Sequence, residues 1–189
     1  VGEEALLVGT GVQAVLLEAQ TPSSARTVAA ELGLATIEVV LDPARPAGTL
    51  EWVSAAPLPR SEMPQRRPDD VALVVRTSGT TGAPKLVELS QAHVLACARD
   101  LARHFELTPA DCCLNARPMF HVAGLVVNVL STVASGGRVV CVTMHDPDVF
   151  FDAVARYEPT WFSGVPTMHQ WLLSHAQTYR RTPAETAVT

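Results

Sequence analysis

Thr77-Ser78-Gly79-Thr80-Thr81-Gly82-Ala83-Pro84-Lys85 is the stretch on which the fold of this chain turns. It sets four hydroxyl side chains, two glycines and one lysine within nine residues. Glycine permits positive φ and a close backbone approach. Successive N–H groups can then form a concave anion nest, with the hydroxyls as added donors. Lys85 supplies a point charge suited to phosphate. Such a loop would hold nucleotide phosphates and offset the charge that develops on a departing pyrophosphate. A flexible Ser/Thr/Gly connection has the same composition. Against that bland reading, the loop follows the apolar run Val71-Ala72-Leu73-Val74-Val75, and α/β proteins place ligand sites directly after such strands. It also ends abruptly in Pro84-Lys85. The Walker pattern G-x-x-x-x-G-K-[ST] fails at two positions: Lys85 follows Pro84, and Leu86 stands where a magnesium-binding hydroxyl belongs.

Upstream of the loop, Ala14 to Leu17 reads as a buried strand, Pro22-Ser23 introduces a helix through Leu32 stopped by Gly33, and Thr36 to Leu41 reads as the next strand. This β-α-β rhythm implies parallel strands covered by helices. Prolines at 43, 46, 57, 59, 64 and 68 then mark a surface connection, with one short strand near Trp52-Val53.

Downstream, Ser90 is placed to cap a helix whose Val94, Leu95, Ala98, Leu101, Ala102 and Phe105 share one face. Thr108 to Asp111 is a turn and Cys113 to Ala116 a strand. The apolar run Val122 to Ala134 reads as a buried helix ended by Gly136-Gly137. Arg138 to Thr143 is a strand, Asp146-Pro147 starts a helix through Tyr157, Thr160 to Phe162 is a strand, and Met168 to His175 a last helix. The resulting organisation is a β-α-β subdomain with its Pro-rich connection over 1–68, a core segment over 69–180 and a tail over 181–189. Both ends read as cut.

The 189 residues, 48% of them apolar, suffice for a packed core. Net charge is −5 with no Lys/Arg block, which argues against nucleic acid or an anionic membrane as the main partner. The run Val122 to Ala134 is too short to span a bilayer, and no basic-then-apolar signal precedes it. Cys97, Cys112, Cys113 and Cys141 form no C-x-x-C pair and read as reduced core thiols of a cytoplasmic protein. The six histidines show no metal-ligand spacing.

The loop resembles the phosphate-loop signature of the adenylate-forming superfamily, which includes acyl- and aryl-CoA synthetases, luciferase-like enzymes and nonribosomal adenylation domains. Asp69 to Leu73 resembles that family's run-in strand, Pro118-Met119-Phe120-His121-Val122-Ala123-Gly124 its P-x-F-H-x-x-G segment, and Gly164-Val165-Pro166-Thr167 its V-P-T segment. The likeness covers residues 69 to about 175. Leu86 replaces the usual glycine after the lysine, and Arg76 the usual aromatic residue. Both departures resemble the branch of oxalate-CoA ligase-like and acyl-loading members.

The resemblance implies an α/β fragment of a large N-terminal domain, with mostly parallel sheets covered by helices. It implies that Thr77, Ser78, Gly79, Thr80, Thr81, Gly82 and Lys85 cradle the phosphates of ATP, with Thr77 a hydroxyl ligand to Mg2+. Lys85 and His121 are implied as catalytic groups. His121, Val165 and Thr167 are implied at the acid substrate, where amino-acid activators carry Asp in place of His121. The implied parent is an acid–thiol ligase joining a carboxylic acid to AMP and then to CoA or a phosphopantetheine carrier protein. An acyl-loading adenylation domain, or a non-catalytic nucleotide-binding or scaffold module, is the alternative. The segment alone, lacking the family's later motifs, is expected to be inactive.

Overall fold

The computed structural model describes residues 11–42, 44–45, 49–54, 65–77, 85–143 and 146–179. These divide into two compact units, the described residues up to Gln65 falling in the first and those from Arg66 onward in the second.

The first unit holds β1 (Ala14–Glu18), α1 (Ser24–Glu31), β2 (Ala35–Leu41) and β3 (Leu50–Ser54). Strands β1 and β2 are parallel, in the register Ala14 with Ala35 through Glu18 with Val39. The Ser23 hydroxyl accepts from the Ala25 N–H at 3.3 Å and caps α1, and Gly33 at φ +66° ends it. The short strand expected near Trp52 exists, but it runs antiparallel to β2, with Val39 opposite Trp52.

The second unit opens with β4 (Val71–Arg76), which pairs antiparallel with β5 (Leu86–Ser90). No strand was expected over 86–90. The segment after Lys85 is therefore a strand paired with β4 and not the start of a helix. Helix α2 (Gln91–His104) starts only after β5, with the Ser90 hydroxyl accepting from the His93 N–H at 3.2 Å. This separates the loop further from a Walker site, whose phosphates sit on a helix N-terminus. Ala98 and Ala102 of α2 are buried as the helical spacing predicts, whereas Leu95 and Phe105 are exposed.

Strand β6 (Cys112–Asn115) is the centre of the unit, and all four of its residues are buried. It pairs in parallel with β7 (Arg138–Cys141), and Cys113 bridges in parallel to Trp161 on its other side. The strand expected over 160–162 is thus reduced to this single bridge, with the Leu114 N–H donating to the Trp161 carbonyl at 3.0 Å. Burial on both faces explains why Cys112 to Asn115 shows no polar–apolar alternation by core position. One face carries Leu114 into a cluster with Ala116, Phe150, Ala153 and Leu172. Phe150 and Ala153 belong to α4 (Pro147–Tyr157), capped by Asp146, and Leu172 to α5 (Pro166–Tyr179). The other face meets α3, made of the π-helix Ala123–Leu130 continued by the α-helical turn Ser131–Ala134. The α/β class holds. Of the four ladders among the described residues, two are parallel and two antiparallel.

The four cysteines are free. Burial pushes the Cys113 thiol up to about 12, so it stays protonated and inert in the core. Cys141 departs from the expectation of core thiols, because β7 turns it outward and it is exposed. Asp111, in the turn before β6, has its carboxyl held below the usual range by the Thr160 hydroxyl and by Thr108.

Candidate active site

Two groups of the singled-out residues are visible. Thr77 and Lys85 face each other at the open end of the β4–β5 hairpin. The Thr77 N–H donates to the Lys85 carbonyl at 2.9 Å, and the Lys85 N–H donates to the Thr77 hydroxyl oxygen at 3.1 Å. These two bonds continue the ladder by one pair and close the base of the loop. Ser78, Gly79, Thr80, Thr81 and Gly82 lie outside the described residues.

The second group forms a cleft. His121, Val165 and Thr167 line one open cavity of about 420 Å³. Its first wall is the turn that follows β6, with Arg117, Pro118, Phe120 and His121. Its second wall is the start of α5, with Val165, Thr167, Met168 and Trp171. Both walls begin where parallel backbone ends, β6 on one side and the Trp161 bridge on the other. That is where open α/β sheets bind ligands. Met168 and Trp171 also pack on the Leu114 cluster, so the core forms the floor of the cleft. Neither Thr77 nor Lys85 is among the described residues lining the cleft.

His121 is held by its own backbone. Its Nδ1 accepts from the Ala123 N–H at 3.1 Å, and its N–H donates to the Pro118 carbonyl at 3.1 Å. With Nδ1 accepting, the neutral ring carries its proton on Nε2, the nitrogen left to meet a ligand. Gly124 fixes this turn from behind. A Cβ at position 124 would lie 2.3 Å from the Pro118 carbonyl oxygen and 3.0 Å from that of Arg117. Only glycine lets α3 stand this close to the turn.

A buried polar network behind the cleft escaped the sequence reading. Asn128, fully buried in α3, donates from Nδ2 to Asn115 Oδ1 at 3.0 Å. The Ser163 hydroxyl donates to Asn128 Oδ1 at 2.6 Å. Arg117 in turn donates from Nη1 to the Ser163 oxygen at 3.4 Å, and from its backbone N–H to Asn115 Oδ1 at 3.3 Å. The chain of bonds ties β6, α3 and the two loops that shape the cleft. Its one sequence signal was Asn128 itself, an amide inside an apolar run. Such a residue persists in a core only when its hydrogen bonds are met.

The described lining of the cleft is basic. Its lining contains the Arg117 guanidinium and no Asp or Glu, and the N-terminal end of α5 opens onto it. For a metal, the described residues offer no cluster of three His, Cys, Asp or Glu side chains. The Thr77 hydroxyl accepts from the Lys85 N–H at 3.1 Å and donates to the Lys85 carbonyl at 3.4 Å, which leaves its oxygen one lone pair.

Fold and cleft together define an α/β unit with an open cavity at the carboxyl ends of parallel strands. Residues 4–187 match the family model described as AMP-binding enzyme, and the chain belongs to that family. It is 37% identical over 135 residues to a sulfoacetate–CoA ligase of Cupriavidus necator, covering 71% of this chain and 26% of that protein. It is 39% identical over 108 residues to an oxalate–CoA ligase of Saccharomyces cerevisiae, covering 57% of this chain and 20% of that one. Among solved structures, apo MatB from Rhodopseudomonas palustris superimposes with a TM-score of 0.69 at 26% identity, over 90% of this chain and 33% of that one. The chain thus spans about a quarter of the length of the curated relatives it matches. No helix of the described residues is long and apolar enough to cross a membrane.

Proposed function

We propose that this chain is a segment of an ATP-dependent acid–thiol ligase, which activates a carboxylic acid as its acyl adenylate and passes the acyl group to a thiol. The observation that carries the reading is the cleft: His121, Val165 and Thr167, spread over 47 positions (167 − 121 + 1), meet at the carboxyl ends of parallel strands. A carboxylate oxygen attacks the α-phosphorus of ATP, the bond to the bridging oxygen breaks, and pyrophosphate departs. Lys85 and the donors of residues 77–82 stabilise the charge on the leaving group. Thr77 would hold Mg2+, which when bound neutralises phosphate charge. A thiolate then attacks the acyl carbonyl and AMP leaves. CoA is the acceptor this reading favours, with a phosphopantetheine carrier as its variant, and the reaction belongs in the cytoplasm.

His121 orients the acid through Nε2, beside a cleft lining without a carboxylate. An α-ammonium placed there would be left unpaired, which costs more than the roughly 1–3 kcal/mol of an unpaired neutral polar group, so a rate loss of at least about 5-fold is expected. Pyrophosphate exchange by the full-length protein, run with amino acids and their deaminated analogues, tests this. The deaminated acid is expected to win in each pair. A preference for the amino acid would overturn the reading of the cleft.

A further inference from the structure

We infer that Arg117 makes the cleft selective for acids that carry a second anionic group, a dicarboxylate or its equivalent. The inference rests on the acid-activating reading above and names the substrate class of that same site.

Arg117 is half-buried and lines the cleft. Among the described residues its guanidinium makes one hydrogen bond, the 3.4 Å contact to Ser163, which engages one of its five N–H groups. The ion pairs among the described residues join Arg26 to Glu38, Arg45 to Asp42 and Arg103 to Asp100; none involves Arg117. A partly desolvated cation without a counter-ion is costly unless a ligand supplies the charge. Its planar fork matches a carboxylate in bidentate fashion.

The support behind Arg117 is that of a fixed recognition group. Ser163 spends its proton on the buried Asn128, so its oxygen presents lone pairs to Arg117. Asn128 is itself locked by Asn115. The guanidinium is thereby held at the cleft wall, and no carboxylate among the described residues pairs with it. His121, with one neutral donor, suffices for a single carboxylate; Arg117 adds the place for a second anion.

The experiment is pyrophosphate exchange by the full-length protein with chain-matched pairs: succinate against butyrate, glutarate against pentanoate. Wild type is expected to prefer the dicarboxylate in at least one pair. Arg117→Met should shrink that preference by about 10- to 100-fold, the scale of a hydrogen bond to a charged group. Arg117→Lys should keep part of it. Thermal melting of both variants separates selectivity from folding. A wild-type preference for monocarboxylates in every pair, or equal losses for both acids in Arg117→Met, would overturn the inference while leaving acid activation standing. Absence of exchange with any acid would overturn both.

Discussion

Replacing Lys85 with alanine in the full-length protein is expected to slow acid-dependent pyrophosphate exchange by about 10²–10³-fold, the loss seen when one preorganised donor to developing charge is removed. The geometry makes this a clean test. Lys85 is exposed, and it closes the hairpin through its backbone N–H and carbonyl, both bonded to Thr77. Truncating the side chain leaves those bonds in place, so thermal stability should not move. The loss should fall on kcat, because the charge Lys85 meets grows as pyrophosphate leaves. An unchanged exchange rate in Lys85→Ala would remove the loop from the chemistry.

The second large effect is expected from Gly124→Ala. The new Cβ would sit 2.3 Å from the Pro118 carbonyl oxygen and 2.9 Å from its carbon. Both are backbone atoms, so no rotamer relieves the clash. Either α3 backs away from β6, straining the Asn128–Asn115 bond, or the 117–121 turn moves and carries Arg117 and His121 with it. Overpacking of this kind costs about 1–3 kcal/mol. For a domain of this size that lowers Tm by roughly 2–12 °C. Gly33→Ala is the contrast: its φ of +66° makes alanine strained, but nothing lies within 4 Å of the added methyl. Thermal unfolding and exchange activity of Gly124→Ala check the point. A Tm within about 1 °C of wild type with full activity would show that the close approach is not needed.

Local rules carried the sequence reading where a single residue decides the backbone. Ser23, Ser90 and Asp146 cap the helices they were expected to start, and Gly33 and Gly136 take positive φ where helices end. The strand read over Cys113 to Ala116 exists one residue earlier, at Cys112 to Asn115, because a short apolar run bounded by turn residues fits a buried strand. Three features were not legible, each for a physical reason. Leu86 to Ser90 is a strand only because β4 lies beside it across the loop, and its own pattern is too short to exclude a helix approach. The winding of α3 is hidden because a uniformly apolar run has no periodicity to tell a π turn from an α turn. The Asn115–Asn128–Ser163–Arg117 network joins residues up to 48 positions apart in sequence (163 − 115), and only tertiary packing brings them together. The cleft residues themselves were found through motif resemblance; periodicity alone would have assigned Val165 and Met168 to the core, which Met168 does also serve.

The central claim is that the protein containing this chain activates carboxylic acids with ATP. Exchange of labelled pyrophosphate into ATP, measured on the full-length protein with and without a panel of mono- and dicarboxylic acids, tests it most directly. The account predicts exchange that depends on an added acid and on magnesium, and that is not supported by ATP alone. Labelled pyrophosphate that never enters ATP with any acid, in a protein that still binds ATP, would contradict it and leave a nucleotide-binding module without ligase chemistry.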